Sequence, residues 1–232
     1  MDKCLFGQEG AKDQIVMQLV QFAAAGSSQP FALGLKGPPG IGKTSFLDVL
    51  ARVMQRPCTF FSLGGLGGAE VLVGHNFTYE GSQCGALAHA TTKHKCMDGV
   101  YFFDELDKLS ESPRGQEVAN VLLHLTDRAQ NNRISVDKYF QGIEMDYSRA
   151  FFVFSFNDDR NINPVLLDRM NVINFDVPSL DDKIQIARRH LLPRALHKAG
   201  MKGSDVSVDD DVLRTIIAQE NREPGVRGSP ER

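Results

Sequence analysis

Short apolar runs alternate with stretches of helical hydrophobic spacing over most of the chain. One helical stretch begins at Lys43, a second lies within 84–93, and a third contains Val118. The apolar runs are rich in β-branched and aromatic residues, and they occupy 31–36, 58–63, 100–104, 150–156 and 172–177. Such runs are typical of strands that helices cover on both faces. Because strands and helices alternate, the pattern predicts an α/β fold with a parallel sheet.

Residues 133–149 follow neither pattern. They contain the dipeptide Gln141-Gly142 between flanking apolar residues. Glycine readily adopts the backbone conformation that a tight turn requires. We therefore predict a hairpin in this segment.

The hydrophobic pattern changes after Pro178, where no further strand is evident. Two serine–aspartate pairs have capping-box spacing, and each precedes a helical pattern: Ser179 with Asp182, and Ser207 with Asp210. We predict an α/β domain over 1–177 and a small α-helical lid domain over 178–232. We expect the second domain to be incomplete, because so few helices bury little apolar surface.

Composition and charge narrow the function classes. A chain of 232 residues can bury a core without disulfides or metals, and its net charge of −3 gives no electrostatic argument for broad binding to nucleic acid or to anionic membranes. No apolar segment approaches the roughly 20 residues that span a bilayer, and the N-terminus has no signal-peptide core. We therefore expect a cytoplasmic protein without membrane contact, for which nucleic acid is an unfavoured partner.

The four cysteines are dispersed and form no Cys-x-x-Cys pair. This usage favours a reducing compartment over a disulfide framework. His89, His94 and Cys96 lie close together in sequence, but their spacing is not that of zinc ligands. We do not predict a zinc site from them.

The segment GPPGIGKT fits the pattern G-x-x-x-x-G-K-T and lies between a predicted strand and a predicted helix. In that context backbone N–H groups and the helix dipole cradle phosphate. Lys43 would reach the β- and γ-phosphates, and the Thr44 hydroxyl would hold Mg²⁺. The alternative is a glycine turn with a structural role only. The predicted nucleotide-binding residues of this loop are Gly37, Pro38, Pro39, Gly40, Ile41, Gly42, Lys43 and Thr44.

The segment VYFFDELDK supplies two carboxylates that complement the glycine-rich loop. Its apolar strand places Asp104 at the carboxyl end, where open α/β sheets bind ligands. Asp104 is a candidate Mg²⁺ ligand, directly or through water. Glu105 is a candidate general base that polarises the attacking water. The alternative for Glu105 is a solvated loop carboxylate.

Taken together, these motifs resemble the AAA+ ATPase module of Lon proteases. The resemblance covers nearly the whole chain, through FGQEGAKDQI, GPPGIGKTS, SLGGLGGAEVLVGH, FFDELDKL, RGQEVANVLLHL, NPVLLDRMNVINF, IARRHLLP and REPGVRG. It implies a P-loop AAA+ fold, ATP and Mg²⁺ as ligands, and a homo-oligomeric ring, a hexamer in this family. The PVLLDRM and RHLLP segments resemble Lon proteins rather than AAA+ proteins in general.

The resemblance also implies roles that the residues alone do not. Asn157 matches the sensor-1 residue that helps to position the lytic water. Arg169 matches the arginine finger that acts on the neighbouring subunit's nucleotide, although by itself it reads as a surface salt-bridge residue. Arg227 matches the sensor-2 arginine, and Phe6 and Gly7 match the pair that lines the adenine pocket.

The segment HNFTYEGSQCG matches the first pore loop of the family, in which an aromatic residue grips the threaded polypeptide. Tyr79 takes the aromatic position, and Gly81 and Gly85 would allow the loop to move. Glu80 departs from the family, which has valine or isoleucine there. The alternative is that Tyr79 packs against its own domain.

Lon proteins carry a substrate-binding region before this module and a Ser-Lys protease domain after it, and neither is found in this sequence. The resemblance therefore implies no peptidase active site within it. Two origins remain open: a fragment of a longer Lon protein, or a stand-alone Lon-like ATPase. If the chain is a fragment of an organellar Lon protein, the mitochondrial matrix is an alternative location.

The function that the resemblance implies is an ATP-hydrolysing motor that unfolds protein substrates and translocates them, with unfolded or damaged proteins as partners. The alternative is a stand-alone nucleotide-binding assembly or regulatory module with little hydrolysis and no proteolysis. Glu105, Asn157 and Arg169 favour the motor, because a module that only binds nucleotide needs no water-positioning or trans-acting groups. A role on DNA is disfavoured by the acidic charge balance.

Overall fold

A five-stranded parallel sheet forms the centre of the molecule. The computed structural model describes residues 7–24, 31–109, 112–201 and 208–219. In chain order the strands are β1 (Phe31–Lys36), β2 (Cys58–Ser62), β3 (Val100–Asp104), β4 (Phe151–Phe156) and β5 (Asn171–Asn174). They lie in the order β2-β3-β4-β1-β5, and all pairs are parallel. The predicted α/β class is confirmed.

The described part of the chain contains the helices α1 (Glu9–Ala24), α2 (Lys43–Met54), α3 (Glu70–Val73), α4 (Ala86–His94), α5 (Pro113–Thr126), α6 (Pro164–Asp168), α7 (Leu180–Ile186), α8 (Leu192–Lys198) and α9 (Asp210–Gln219). A 3₁₀ turn, Leu106–Lys108, follows β3, and a π-helical turn, Ala187–Leu191, joins α7 to α8. Helix α1 was not predicted, because apolar Val16, Met17 and Val20 face solvent and blur its hydrophobic stripe.

Side chains of the central strands alternate between two apolar clusters, one on each face of the sheet. Tyr101 and Phe103 belong to one cluster, whereas Val100 and Phe102 belong to the other. Every residue of β4 is buried. This burial explains why the strands read as continuous apolar runs rather than as alternating ones.

A third apolar cluster lies after Pro178. It joins Ile184 of α7 and Ala187 of the π turn to Leu213 and Ile217 of α9. The Ser179–Asp182 capping box is present as predicted, with reciprocal side-chain and backbone hydrogen bonds. Ser207 lies outside the described residues. The division of the chain at 177/178 stays a prediction.

The predicted hairpin in 133–149 is reduced to a single antiparallel bridge between Ile134 and Met145. The turn itself forms, because Ile143 N donates to Phe140 O at 3.0 Å and Gly142 takes φ +85°. Only one pair of ladder residues meets, so the segment is a bridged loop without strands.

No helix in the described ranges is long and apolar enough to cross a membrane. Over the same ranges, no group of three or more His, Cys, Asp and Glu side chains is placed to hold a metal. His94 Nε2 lies 3.1 Å from Thr59 Oγ1 instead. Cys58, Cys84 and Cys96 are free thiols.

Candidate nucleotide-binding site

The carboxyl ends of β1, β3 and β4 meet at one edge of the sheet. β4 pairs with β1 on one side and with β3 on the other, so the loops that follow these strands are neighbours. The glycine-rich loop follows β1, Asp104 ends β3, and Asn157 follows β4. The strand order therefore brings together residues that are far apart in sequence.

The glycine-rich loop turns sharply from β1 into α2. A Cβ on Gly37 would approach Phe175 O to 2.7 Å, so a side chain there would have to displace backbone. Gly42 takes φ +99° at the N-cap of α2 and provides no side-chain cap. The first N–H groups of α2 have no partner within the helix, and with its dipole they favour an anion at this point. The buried residues Phe46, Leu47 and Leu50 fix the helix against the sheet.

Lys43 is the first residue of α2, and its side chain folds back over the loop. Its Nζ donates to Asn157 Oδ1 at 2.8 Å and to Phe156 O at 3.2 Å. It also donates to the carbonyls of Gly37 and Pro38. The residue is only 9% exposed. Lys43 thus connects the glycine-rich loop to the end of β4.

Asp104 and Asp107 both accept hydrogen bonds from residues at the end of β4. Asp104 Oδ1 accepts hydrogen bonds from the Ser155 hydroxyl and from the N–H of Glu105. Asp107 Oδ2 accepts from the N–H of Asn157 at 3.2 Å, whereas its buried Oδ1 has no partner in the described structure. These contacts orient both carboxyl groups relative to the end of β4.

Glu105 is exposed and takes φ +61°, a left-handed conformation that is uncommon for a non-glycine residue. Its Oε2 lies 3.5 Å from the Ser62 hydroxyl at the end of β2. A Cβ on Gly64 would overlap this carboxylate. The lack of a side chain at Gly64 therefore leaves the space that the Glu105 carboxylate occupies.

We expect Gly64→Ala to lower ATP turnover about tenfold or more while nucleotide affinity and melting temperature change little. The added methyl group meets the end of a flexible side chain, so the fold absorbs it and Glu105 shifts instead. A displaced catalytic group of this kind costs rate rather than binding. Steady-state hydrolysis, nucleotide titration and thermal unfolding would test this. Gly65→Ala is unsuitable as a control because of its φ of +87°, whereas Gly67→Ala is suitable, since a Cβ there meets no atom within 4 Å.

Two adjoining cavities lie over this edge of the sheet. The P-loop cavity, about 410 Å³, is lined by Pro39, Gly40, Gly42, Lys43, Thr44, Ser45, Asp104, Glu105, Asp107, Ser155, Phe156, Asn157, Leu191 and Arg194. The linker cavity, about 500 Å³, is lined by Gly7, Gln8, Glu9, Gly10, Ala11, Ile41, Gly42, Ser45, Asp176, Val177, Pro178, Asp182, Ile186, His190, Leu191 and Arg194. Four residues are common to both: Gly42, Ser45, Leu191 and Arg194. The pair forms one elongated site.

The residues present fit a nucleotide with Mg²⁺. The N–H groups at the N-terminus of α2 suit phosphate, and the hydroxyl of Thr44 with the carboxylate of Asp104 forms an oxygen donor set of the kind that Mg²⁺ prefers. The unpartnered Oδ1 of Asp107 adds acceptor capacity beside them. The linker cavity leaves room for a base and ribose beyond the phosphates.

Sequence reasoning missed Gln8 and Arg194. Gln8 Nε2 donates to Asp176 O at 2.6 Å, and its Oε1 accepts from Asp176 N at 3.1 Å, so it fixes the segment before α1 against the end of β5. Arg194 lines both cavities from α8. No local motif marks either residue, because each reaches the site through tertiary structure.

The loop after Asn157 is held by ion pairs. Lys36 Nζ lies 2.7 Å from Asp159 Oδ2, and this hydrogen bond holds the pKa of Asp159 below its usual value. Arg160 does the same for Asp158, whose pKa falls to about 2. The first pair ties the end of β1 to the loop that carries Asn157.

The remaining predicted site residues lie elsewhere. Arg169 donates to Leu123 O at 2.6 Å, pairs with Asp127 at 3.4 Å, and lines neither cavity of its own chain. Tyr79 is 67% exposed in the loop between α3 and α4. Gly7 lines the linker cavity. Phe6 and Arg227 lie outside the described residues.

Comparison with known proteins supports this interpretation. The profile of the ATPase family associated with various cellular activities (AAA) matches residues 33–177. The chain is 36% identical over 228 residues to the Lon protease of Escherichia coli strain K12, covering 98% of this chain and 29% of that protein. It is 38% identical over 191 residues to the Lon protease of Campylobacter concisus strain 13826, covering 82% of this chain and 23% of that protein.

A Lon protease homolog of Acanthamoeba polyphaga mimivirus is 32% identical over 227 residues, covering 98% of this chain and 22% of that protein. The chain thus spans less than a third of the length of these relatives. The resemblance that the motifs indicated is confirmed along nearly the whole chain. The chain therefore belongs to the ATPase family associated with various cellular activities, and within that family it resembles the AAA module of Lon proteases.

Proposed function

We propose that this chain is an ATP-hydrolysing motor module of a Lon-type ATP-dependent protease, which couples hydrolysis to the unfolding and translocation of protein substrates. The observation that supports this most directly is the 2.8 Å contact between Lys43 Nζ and Asn157 Oδ1, in a cavity that Asp104 and Glu105 also line. A module that only bound nucleotide would need the loop and its lysine, but not a carboxylate and an amide placed beside the terminal phosphate position.

Each residue has one task in the proposed hydrolysis. Lys43 leaves its carbonyl partners to bind the β- and γ-phosphates, while Thr44 and Asp104 hold Mg²⁺. Bound Mg²⁺ supplies positive charge that neutralises the phosphates. Glu105 accepts a proton from the attacking water, and Asn157 helps to orient that water.

The proposed assembly is a homo-oligomeric ring, with six subunits by family resemblance. Arg169, at the end of α6, is held against the end of α5 and lines neither nucleotide cavity of its own chain, which agrees with a role at the neighbouring subunit's nucleotide. Such an arginine stabilises charge on the transferred phosphoryl group. The location in the cytoplasm stays a prediction.

The loop that carries Tyr79 has a firm base and an exposed tip. His75 N donates to Gln83 O at 3.1 Å, Gly85 N donates to Asp137 Oδ2 at 2.8 Å, and the Asp137 carboxylate is buried. At the tip, Phe77 and Tyr79 are 60% and 67% exposed. A rigid base that presents aromatic side chains to solvent agrees with a grip on an extended polypeptide.

Replacing Tyr79 with alanine should spare basal ATP turnover and abolish translocation of a folded protein substrate. The ring makes no contact with the nucleotide cavities, so only the grip is lost. Glu80→Val should strengthen translocation, because it removes a carboxylate beside the ring. Unfolding of a fluorescent protein substrate by the assembled protein measures both. Val212→Ala, at an exposed apolar residue of α9, is the control. Unchanged translocation in both variants would remove this loop from the mechanism.

Turnover of ATP by the assembled protein tests the proposed function itself. The motor requires hydrolysis that depends on Mg²⁺ and on protein concentration, since the site would be completed by Arg169 of a neighbour. The alternative, a nucleotide-binding assembly or regulatory module, predicts ATP binding with little or no turnover. Binding without hydrolysis in the assembled state would therefore favour the alternative.

A further inference from the structure

Arg194 occupies the junction between the two cavities. It lines the P-loop cavity and the linker cavity, together with Gly42 and Ser45 at the N-terminus of α2 and Leu191 of the π turn. Gly42 and Ser45 flank the point where the helix dipole favours an anion. Arg194 therefore lies in the same site as the helix terminus that favours an anion.

Arg194 continues a helical face that lines the linker cavity. Asp182, Ile186 and His190 follow one another at intervals of four residues along this face, and Arg194 comes four residues after His190. The π-helical turn Ala187–Leu191 lies within the same segment, and its last residue, Leu191, also lines the cavity. Short π-helical turns recur at functional sites in helices.

Arg194 is one of few cations among the carboxylates that line the two cavities. The P-loop cavity is lined by three carboxylates, Asp104, Glu105 and Asp107, and among its described lining residues the cations are Lys43 and Arg194. In the linker cavity Arg194 is the one lysine or arginine among the described lining residues, opposite Glu9, Asp176 and Asp182. Cations among these carboxylates would offset the negative charge of a bound polyphosphate.

Other arginines of the same region are already paired. Arg188 lies 2.9 Å from Asp210, and Arg214 lies 3.0 Å from Asp181. Arg194 is exposed and has no hydrogen-bond or ion-pair partner among the residues that the structure describes. Its guanidinium is thus available to a ligand, and its planar donor set suits two phosphate oxygens at once.

We propose that Arg194 binds the α- and β-phosphates of the nucleotide held by its own subunit. This inference rests on the proposed function, because it takes the ligand to be ATP. Arg194 is a second cis cation, across the phosphate chain from Lys43. Through Arg194, the helical segment from α7 to α8 contacts di- and triphosphates. A nucleoside without phosphate makes no contact with this arginine.

The test compares ATP, ADP and adenosine on the full chain, by calorimetry for the two nucleotides and by ligand-induced thermal shift for adenosine. Arg194→Ala should bind ATP and ADP about 10- to 100-fold more weakly, because it loses a charge-assisted, bidentate contact. Its response to adenosine should equal that of the unchanged protein. The affinity of Arg194→Lys for ATP and ADP should lie between those of Arg194→Ala and the unchanged protein. Arg214→Ala, which breaks an exposed ion pair outside both cavities, should bind all three ligands normally.

Three results would overturn the inference. Normal ATP and ADP affinity in Arg194→Ala would show that the arginine does not contact phosphate. Equal losses for adenosine and ADP would show that it shapes the pocket rather than binding the phosphates. Failure of the unchanged protein to bind ATP would refute the proposed function and this inference together, whereas the first two results leave the proposed function standing.

Discussion

Replacing Lys43 with alanine should weaken ATP binding by a factor of at least about 100 and reduce ATP turnover below detection. The ammonium group would make charge-assisted contacts to phosphate oxygens, each worth about 1.5–3 kcal/mol. Losing two of them corresponds to roughly 3–6 kcal/mol, or about two to four powers of ten in affinity. Titration with ATP and a coupled hydrolysis assay measure the two effects.

The same substitution should also lower stability in the absence of nucleotide. Lys43 Nζ donates to Asn157 Oδ1 and to three backbone carbonyls, and the side chain is nearly buried. Acceptors left without a donor cost about 1–3 kcal/mol. For a chain of this size that corresponds to a melting temperature lower by about 2–12 °C.

Lys108→Ala is the matched control for the lysine. Lys108 is exposed in the 3₁₀ turn after β3 and lines neither cavity, so its loss should change neither affinity nor melting temperature. Affinity for ATP within threefold of the unchanged protein in Lys43→Ala would contradict the assignment of the glycine-rich loop as the phosphate site. A large loss in both variants would indicate a general charge effect instead.

The parts of the site that sequence reasoning found are those encoded locally. The glycine-rich loop needs a strand, a turn and a helix within one short segment, and its glycines at 37 and 42 are required by a close approach to backbone and by a positive φ. Asp104 was found because an apolar strand ends at it. In each case the neighbouring residues carry the signal.

The parts that it missed depend on contacts between distant segments. Gln8 meets Asp176 across 168 positions, and nothing near either residue announces the contact. Gly64 makes space for Glu105 only because β2 pairs with β3. The predicted hairpin failed for a related reason: the turn at Gly142 is local and forms, but strand pairing needs further partners that the segment lacks.

Glu105→Gln should reduce ATP turnover by about 100- to 10,000-fold, the range that a general base contributes, while ATP affinity stays within threefold. Glutamine has the same size, and its amide oxygen can still accept from the Ser62 hydroxyl in the space beside Gly64. The fold and the phosphate contacts are therefore kept, and only the ability to take a proton from water is lost.

Glu117→Gln is the matched control, because it makes the same chemical change on the exposed surface of α5; it should leave turnover unaltered.

Glu105→Asp tests the position of the carboxylate separately from its ability to accept a proton. It keeps the carboxylate but withdraws it by one methylene group. Its turnover should therefore exceed that of the glutamine variant and remain well below that of the unchanged protein. If Glu105→Gln hydrolyses ATP at nearly the normal rate, Glu105 is not the base, and the residue held between Ser62 and Gly64 would have to be assigned a structural role. If it binds ATP normally and does not turn it over, the carboxylate of Glu105 is what separates a motor from a nucleotide-binding module in this chain.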